Sequence, residues 1–368
     1  MEPDLLIHPS QGCSSYQFGQ SLAAHGDELL VGAPWDYNPD DATFPPPTVG
    51  LLSRRDGVWS VSQVLVATGP VQADGFGRSL ALGNAFAVVG APGNENGDEP
   101  TFDFVRAGGA PFQFRAALDA PERDEVHNDV FERFGESVAA DARHVIVGAP
   151  LAAERDGNDG DPCGAVYVFD RTSSSVSPVA TLRGARAGEQ FGTSVALSGD
   201  LLVIGGYSNE LFVHRRDAAG GWHALCSVTG GGTGDKYGAH MAMDGARFAV
   251  TDVGRVEVFE VLGAACTMIA SLELDETFDP SSLAFKGDRL AIGDAMFSAP
   301  GGPLQTGRVG LFRVSSDGSI HHEEWLAVAS CDEYARFGSA VALGPDYLAA
   351  GAPGMNDDDE GFVAMKAW

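Results

Sequence analysis

Short apolar runs alternate with glycine- and aspartate-rich turns along the whole chain. Leu29-Leu30-Val31, Val145-Ile146-Val147 and Leu201-Leu202-Val203-Ile204 are runs of this kind, and Ala165-Val166-Tyr167-Val168-Phe169 shows the alternation of a half-buried strand. Segments this brief and this rich in β-branched residues predict strands rather than helices, and the Gly, Asn and Asp turns between them predict tight hairpins. No apolar run approaches the roughly 18 residues that a membrane-crossing helix needs.

The runs belong to a repeat. Phe-Gly, two further residues, an apolar run, a turn, a second apolar run and Gly-Ala-Pro recur from Phe18-Gly19 to Gly32-Ala33-Pro34, from Phe76-Gly77 to Gly90-Ala91-Pro92, and from Phe134-Gly135 to Gly148-Ala149-Pro150. Further copies run from Phe191-Gly192 to Gly205-Gly206-Tyr207, Tyr237-Gly238 to Thr251-Asp252-Val253, Asp279-Pro280 to Gly293-Asp294-Ala295, and Phe337-Gly338 to Gly351-Ala352-Pro353. The fifth residue after the first is always alanine: Ala23, Ala81, Ala139, Ala196, Ala242, Ala284 and Ala342.

Each unit has room for four strands, A to D. Strand A is the Ser-Leu-Ala run and strand B ends in Gly-Ala-Pro. Strand C follows a loop, and strand D precedes the next Phe-Gly, as in Trp59 to Val66, Trp222 to Val228 and Trp325 to Val328. Seven four-stranded antiparallel sheets predict an all-β fold, a seven-bladed β-propeller forming one domain over residues 1–368, with blades beginning near 18, 76, 134, 191, 237, 279 and 337. The alanines then suit an innermost strand A, where only a small side chain fits. After Pro353 the chain supplies only strand C, at Gly361 to Trp368, so the N-terminal strand within residues 4–10 is expected to complete blade 7.

The Phe-Gly and Gly-Ala-Pro signatures resemble FG-GAP repeats, the units of the integrin α-chain head propeller and of many surface proteins. That resemblance implies extracellular or cell-surface adhesion and ligand binding. Calcium-binding integrin repeats carry an Asp-x-Asp/Asn-x-Asp-Gly loop between strands A and B. Here the connection is a short turn, such as Gly83-Asn84 or Asp244-Gly245, too poor in oxygen ligands for the six to eight that Ca²⁺ takes. The chain is closer to the calcium-free bacterial variety of the repeat.

Charge adds a direction. With 23 basic against 51 acidic residues the net charge is −28, which disfavours nucleic acid and anionic membranes as partners. The acids gather in B–C loops: Asp36, Asp40 and Asp41; Glu95, Asp98 and Glu99; Glu154, Asp156, Asp159 and Asp161; Asp357, Asp358, Asp359 and Glu360. The D–A connection before blade 3 adds Asp119, Glu122, Asp124, Glu125 and Asp129. These acids either keep the protein soluble or attract a cation or a basic partner. Any Ca²⁺ belongs in these loops, with Asp156, Asn158 and Asp161 or Asp357, Asp358 and Asp359 as ligands, although neither set has EF-hand spacing.

Departures from the repeat mark a second candidate. The third residue after the Phe is serine in five copies but His240 in blade 5 and Ala340 in blade 7; the Ala of Gly-Ala-Pro becomes Asp252 and Asp294 in blades 5 and 6, and Tyr207 replaces the proline in blade 4. Tyr207, His240, Asp252 and Asp294 could line a notch that binds a sugar or cation or performs acid–base chemistry. Repeat decay, with polar residues filling gaps and satisfying one another, is the plainer explanation of them. No nucleophile elbow, zincin motif or phosphate loop is present.

The five cysteines, at 13, 163, 226, 266 and 331, are odd in number and contain no CxxC, so buried thiols with at most one or two bridges are expected. The N-terminus lacks a signal-peptide pattern, which fits a cytoplasmic chain or one whose signal has been removed. The reading is a monomeric, non-catalytic adhesion scaffold that presents an acidic loop face to a protein or glycan. A lectin-like propeller and a hydrolase or lyase centred on His240 are the alternatives.

Overall fold

The computed structural model describes residues 2–9, 17–34, 46–67, 74–93, 100–120, 132–152, 162–231, 237–252, 254–275, 278–329, 333–354 and 361–368. Its strands are β1 (Leu5–Ile7), then β2 (Ser21–His25), β3 (Glu28–Ala33), β4 (Thr48–Arg55) and β5 (Val58–Val66) of blade 1. Blade 2 holds β6 (Ser79–Gly83), β7 (Phe86–Gly90), β8 (Thr101–Val105) and β9 (Gln113–Leu118); blade 3 holds β10 (Ser137–Ala140), β11 (His144–Ala149), β12 (Ala165–Asp170) and β13 (Ala180–Arg183). Blade 4 comprises β14 (Ser194–Ser198), β15 (Leu201–Gly205), β16 (Glu210–Arg216) and β17 (Trp222–Thr229). In blade 5 are β18 (Met241–Asp244), β19 (Arg247–Asp252), β20 (Arg255–Leu262) and β21 (Ala265–Glu273). Blade 6 has β22 (Ser282–Lys286), β23 (Arg289–Asp294), β24 (Arg308–Val314) and β25 (Ile320–Leu326), and blade 7 has β26 (Ala340–Leu343), β27 (Tyr347–Ala352) and β28 (Phe362–Ala367).

Each blade is a four-stranded antiparallel sheet in chain order, and β1 is the fourth strand of blade 7. The fold is thus the seven-bladed β-propeller that the repeats imply, and no helix occurs among the described residues. β1 pairs with β28 through Leu5↔Met365, Leu6↔Ala364 and Ile7↔Val363. Asp4 extends the seam: its N–H donates to the Met365 carbonyl at 2.9 Å and its carboxylate accepts the Ala367 N–H at 2.8 Å.

Packing divides the chain into two compact units. One comprises Met1–Pro34, Thr48–Leu65 and His240–Trp368, and the other comprises Trp35–Pro47 and Val66–Ala239. In the first, β18 packs on β22, β22 on β26 and β26 on β2; in the second, β6 packs on β10 and β10 on β14. The repeat alanines face these contacts. Ala81 and Ala139 pack into the hydrophobic clusters of the following blade, as do Ala242, Ala284 and Ala342.

Both signatures act at the same seam. The Phe-Gly glycines Gly19, Gly135, Gly192 and Gly338 have φ between +92° and +97°, a region that side-chain-bearing residues avoid. The Gly-Ala-Pro glycine of one blade abuts the Phe-Gly carbonyl of the next. A Cβ on Gly148 would lie 2.0 Å from Gly192 O, and one on Gly351 would lie 1.8 Å from Gly19 O. The repeat serine completes the joint, since Ser79 Oγ donates to Gly135 O at 2.7 Å, Ser137 Oγ to Gly192 O at 2.8 Å and Ser282 Oγ to Gly338 O at 2.8 Å. This is the physical reason for a serine that sequence alone leaves unexplained. Where blade 5 replaces the strand-B glycine with Thr251, blade 6 has Pro280 in place of the Phe-Gly glycine.

Two local expectations need correction. In blade 6 the buried aromatic is Phe278, one residue ahead of the Asp279-Pro280 pair taken as its counterpart. The fourth strand of that blade is Ile320–Leu326, because the turn at Ser315 to Ser319, with Gly318 at φ +86°, ends earlier than Trp325. His321 and His322 lie on β25 and are exposed.

Candidate functional site

The acidic connections leave the C-terminal ends of β3, β7, β11 and β27 and lead to β4, β8, β12 and β28. The metal-ligand candidates Asp156, Asn158, Asp161, Asp357, Asp358 and Asp359 lie in them, outside the described residues. The connections between first and second strands are tight turns. His25↔Glu28, Gly83↔Phe86 and Asp244↔Arg247 each close a two-residue hairpin.

The notch candidates are distributed over both compact units. Tyr207 belongs to one, is 44% exposed, and donates its backbone N–H to Glu189 O at 2.8 Å. His240, Asp252 and Asp294 belong to the other. His240 is half-buried just ahead of β18, and its carbonyl accepts the Thr251 N–H at 3.1 Å.

The two aspartates are buried, and each has an arginine directly opposite it on the next strand. Asp252 faces Arg255 in the register of β19 and β20, and Asp294 faces Arg308 in that of β23 and β24. Arg255 Nη2 lies 3.2 Å from Asp252 Oδ2 and 3.0 Å from Glu257 Oε1. Arg308 Nε donates to Asp294 Oδ2 at 2.9 Å. The Arg308 guanidinium also sits over three rings, 3.9 Å from the centroid of Phe297, 4.7 Å from Trp325 and 4.9 Å from Phe278, a cation–π cage filled by the protein's own cation. Burial pushes the Asp294 carboxyl up, and Arg308 pulls against that shift. Sequence reasoning singled out both aspartates but missed their arginines, although an arginine at the first position of strand C was the available signal.

Of the cysteines, Cys163 is buried, while Cys226 on β17 and Cys266 on β21 are each disulfide-bonded. Cys13 and Cys331 lie outside the described residues.

Comparison with known families matches residues 59–101, 128–169 and 181–220 to the FG-GAP repeat. The first stretch runs from the last strand of blade 1 into the third strand of blade 2, so the sequence repeat is offset by one strand from the structural blade. No curated protein matches the chain.

Proposed function

We propose that this β-propeller, which matches the FG-GAP repeat over three stretches, serves as a non-catalytic binding scaffold whose acidic strand connections capture a basic protein partner. The fold is consistent with a binding or scaffold role. One observation carries the finer reading. The connections between second and third strands of blades 1, 2, 3 and 7 concentrate the acids named above, with Arg155 as the single base among residues 35–45, 94–99, 153–161 and 355–360. Carboxylates grouped on few loops of a chain of net charge −28 create a field that accelerates encounter with cationic surfaces and selects against anionic ones.

The arginine pairing of Asp252 and Asp294 supports a non-catalytic role, because each carboxylate is already engaged by an arginine of its own sheet. That Cys226 and Cys266 are each disulfide-bonded suits an oxidising compartment. It therefore supports an adhesive role at the cell surface or outside the cell.

The test is capture of a lysine-rich peptide by immobilised protein. Converting Asp357, Asp358 and Asp359 together to Asn should weaken capture by about tenfold or more while leaving the melting midpoint unchanged. Equal capture by the triple variant and the parent refutes the proposal.

A further inference from the structure

The hairpin between β22 and β23 has the two-residue turn Gly287-Asp288, so Lys286 and Arg289 stand directly opposite one another. Cross-strand neighbours of this kind have Cβ atoms roughly 5 Å apart, and like charges there are destabilising. The corresponding closing pairs of the other blades include His25↔Glu28, Ser198↔Leu201, Asp244↔Arg247 and Leu343↔Leu348, none of them two cations. Lysine is also scarce, occurring only at 236, 286 and 366. Lys366 bonds Asp4 at 3.2 Å, whereas Lys286 has no ion pair among the described residues.

Lys286 and Arg289 line an open depression of about 350 Å³ formed by the first hairpins of blades 5, 6 and 7. Its apolar wall is Pro345 and Trp368, the latter 39% exposed, with the Arg289 guanidinium 4.2 Å from the centroid of the Trp368 ring. Two side-chain carboxylates also border it, and both are engaged. Asp244 Oδ2 accepts the Gly287 N–H at 2.7 Å, and Asp288 Oδ2 meets Arg313 Nη1 at 2.6 Å. Among the described residues Arg289 has one weak anionic contact, with Glu323 at 3.4 Å, and Glu323 in turn bonds Arg313 more closely, at 2.6 Å. The donors left over are the ammonium of Lys286 and the remaining N–H groups of Arg289.

We propose that this depression binds a ligand bearing a carboxylate, sulfate or phosphate group on a ring, the anion bridging Lys286 and Arg289 and the ring lying against Trp368 and Pro345. The arrangement joins a charge-assisted fork to an aromatic platform. It uses the opposite strand ends from the acidic connections, so it stands or falls independently of the peptide-capture reading.

The test is calorimetric titration of the full chain at low salt with benzoate, phenyl sulfate and phenyl phosphate, with phenol as the neutral control. Saturable binding of at least one anion and none of phenol is expected, and the ranking of the three identifies the anionic group. Lys286→Gln and Arg289→Gln should each weaken that binding by about tenfold, as loss of one charge-assisted hydrogen bond does. Lys286→Arg should retain it. Arg247→Gln, on the neighbouring hairpin and paired with Glu260, should leave it unchanged. Lys286→Gln should melt no lower than the parent, since it removes a like-charge pair. No saturation with any of the three anions, or equal binding by Lys286→Gln, overturns the proposal.

Discussion

Asp103 offers the sharpest test of how neighbouring blades are held together. It lies on β8 with its side chain fully buried, and it is gripped by two arginines. Arg115, on β9 of the same blade, places Nη1 at 2.8 Å. Arg171, just past β12 of the next blade, places Nη2 at 2.8 Å and Nε at 3.2 Å, and its guanidinium sits 4.4 Å from the Phe86 ring centroid. Arg171 is only 6% exposed, so removing the carboxylate strands a buried cation. Breaking a buried pair from one side costs about 3–5 kcal/mol. Both arginines keep backbone acceptors, Ser173 O for Arg115 and Asp141 O for Arg171, which places Asp103→Asn near the lower end, at about 3 kcal/mol. Urea unfolding followed by tryptophan fluorescence measures this directly. The triple change Asp103→Leu, Arg115→Leu, Arg171→Met removes the unpaired charges and should cost less than Asp103→Asn alone. A cost below about 1 kcal/mol for Asp103→Asn, or a triple variant less stable than the single one, refutes the clamp.

Two further outcomes follow from other parts of the fold. Burial raises the Asp141 carboxyl, but the His144 ring and the backbone N–H groups of His144 and Arg143 outweigh it and hold the pKa at about 2. The folded pKa lies below the ordinary aspartate value of 3.8, so Asp141 stabilises the fold above that pH and loses its contribution as pH falls towards 2. Asp141→Asn should therefore cost on the order of 2 kcal/mol at neutral pH and progressively less in melts at lower pH; a pH-independent cost contradicts the assignment. Gly148→Ala, whose Cβ would meet Gly192 O at 2.0 Å, should destabilise by more than about 2 kcal/mol. Gly26→Ala, at φ +59° with nothing within 4 Å, should cost only about 1 kcal/mol, and equal denaturation midpoints for the two variants contradict the close-approach argument.

The blade plan was legible because it rests on local chemistry repeated along the chain, with Phe-Gly in five copies and Gly-Ala-Pro in four. Phe-Gly supplies a buried ring and a positive-φ glycine, and Gly-Ala-Pro supplies a strand end without a side chain. The closure by Leu5–Ile7 was legible from a missing fourth strand. What lay beyond reach were pairings set by register across long connections. Asp294 and Arg308 are 14 residues apart in the chain but directly opposite in the sheet, and only the register turns a broken repeat into an ion pair. The serine-to-carbonyl bonds span 44 to 56 residues, so their partner belongs to the next repeat. Phe278 was missed for a simpler reason. A one-residue offset moves the aromatic out of the fixed spacing while keeping its side chain buried. The depression at Lys286 needs three hairpins from three blades, and no single repeat contains it.

The most direct measurement is the affinity of the lysine-rich peptide as a function of salt concentration. Screening shortens from roughly 30 Å at 0.01 M to about 8 Å at 0.15 M ionic strength, so capture by acidic connections should be tight at the low end and fall steeply towards the high end. Lys286→Gln should follow the same curve as the parent, and the triple asparagine variant should lie below it throughout. A peptide that fails to bind at low salt, or binds with an affinity indifferent to salt, contradicts a scaffold that works through its acidic connections.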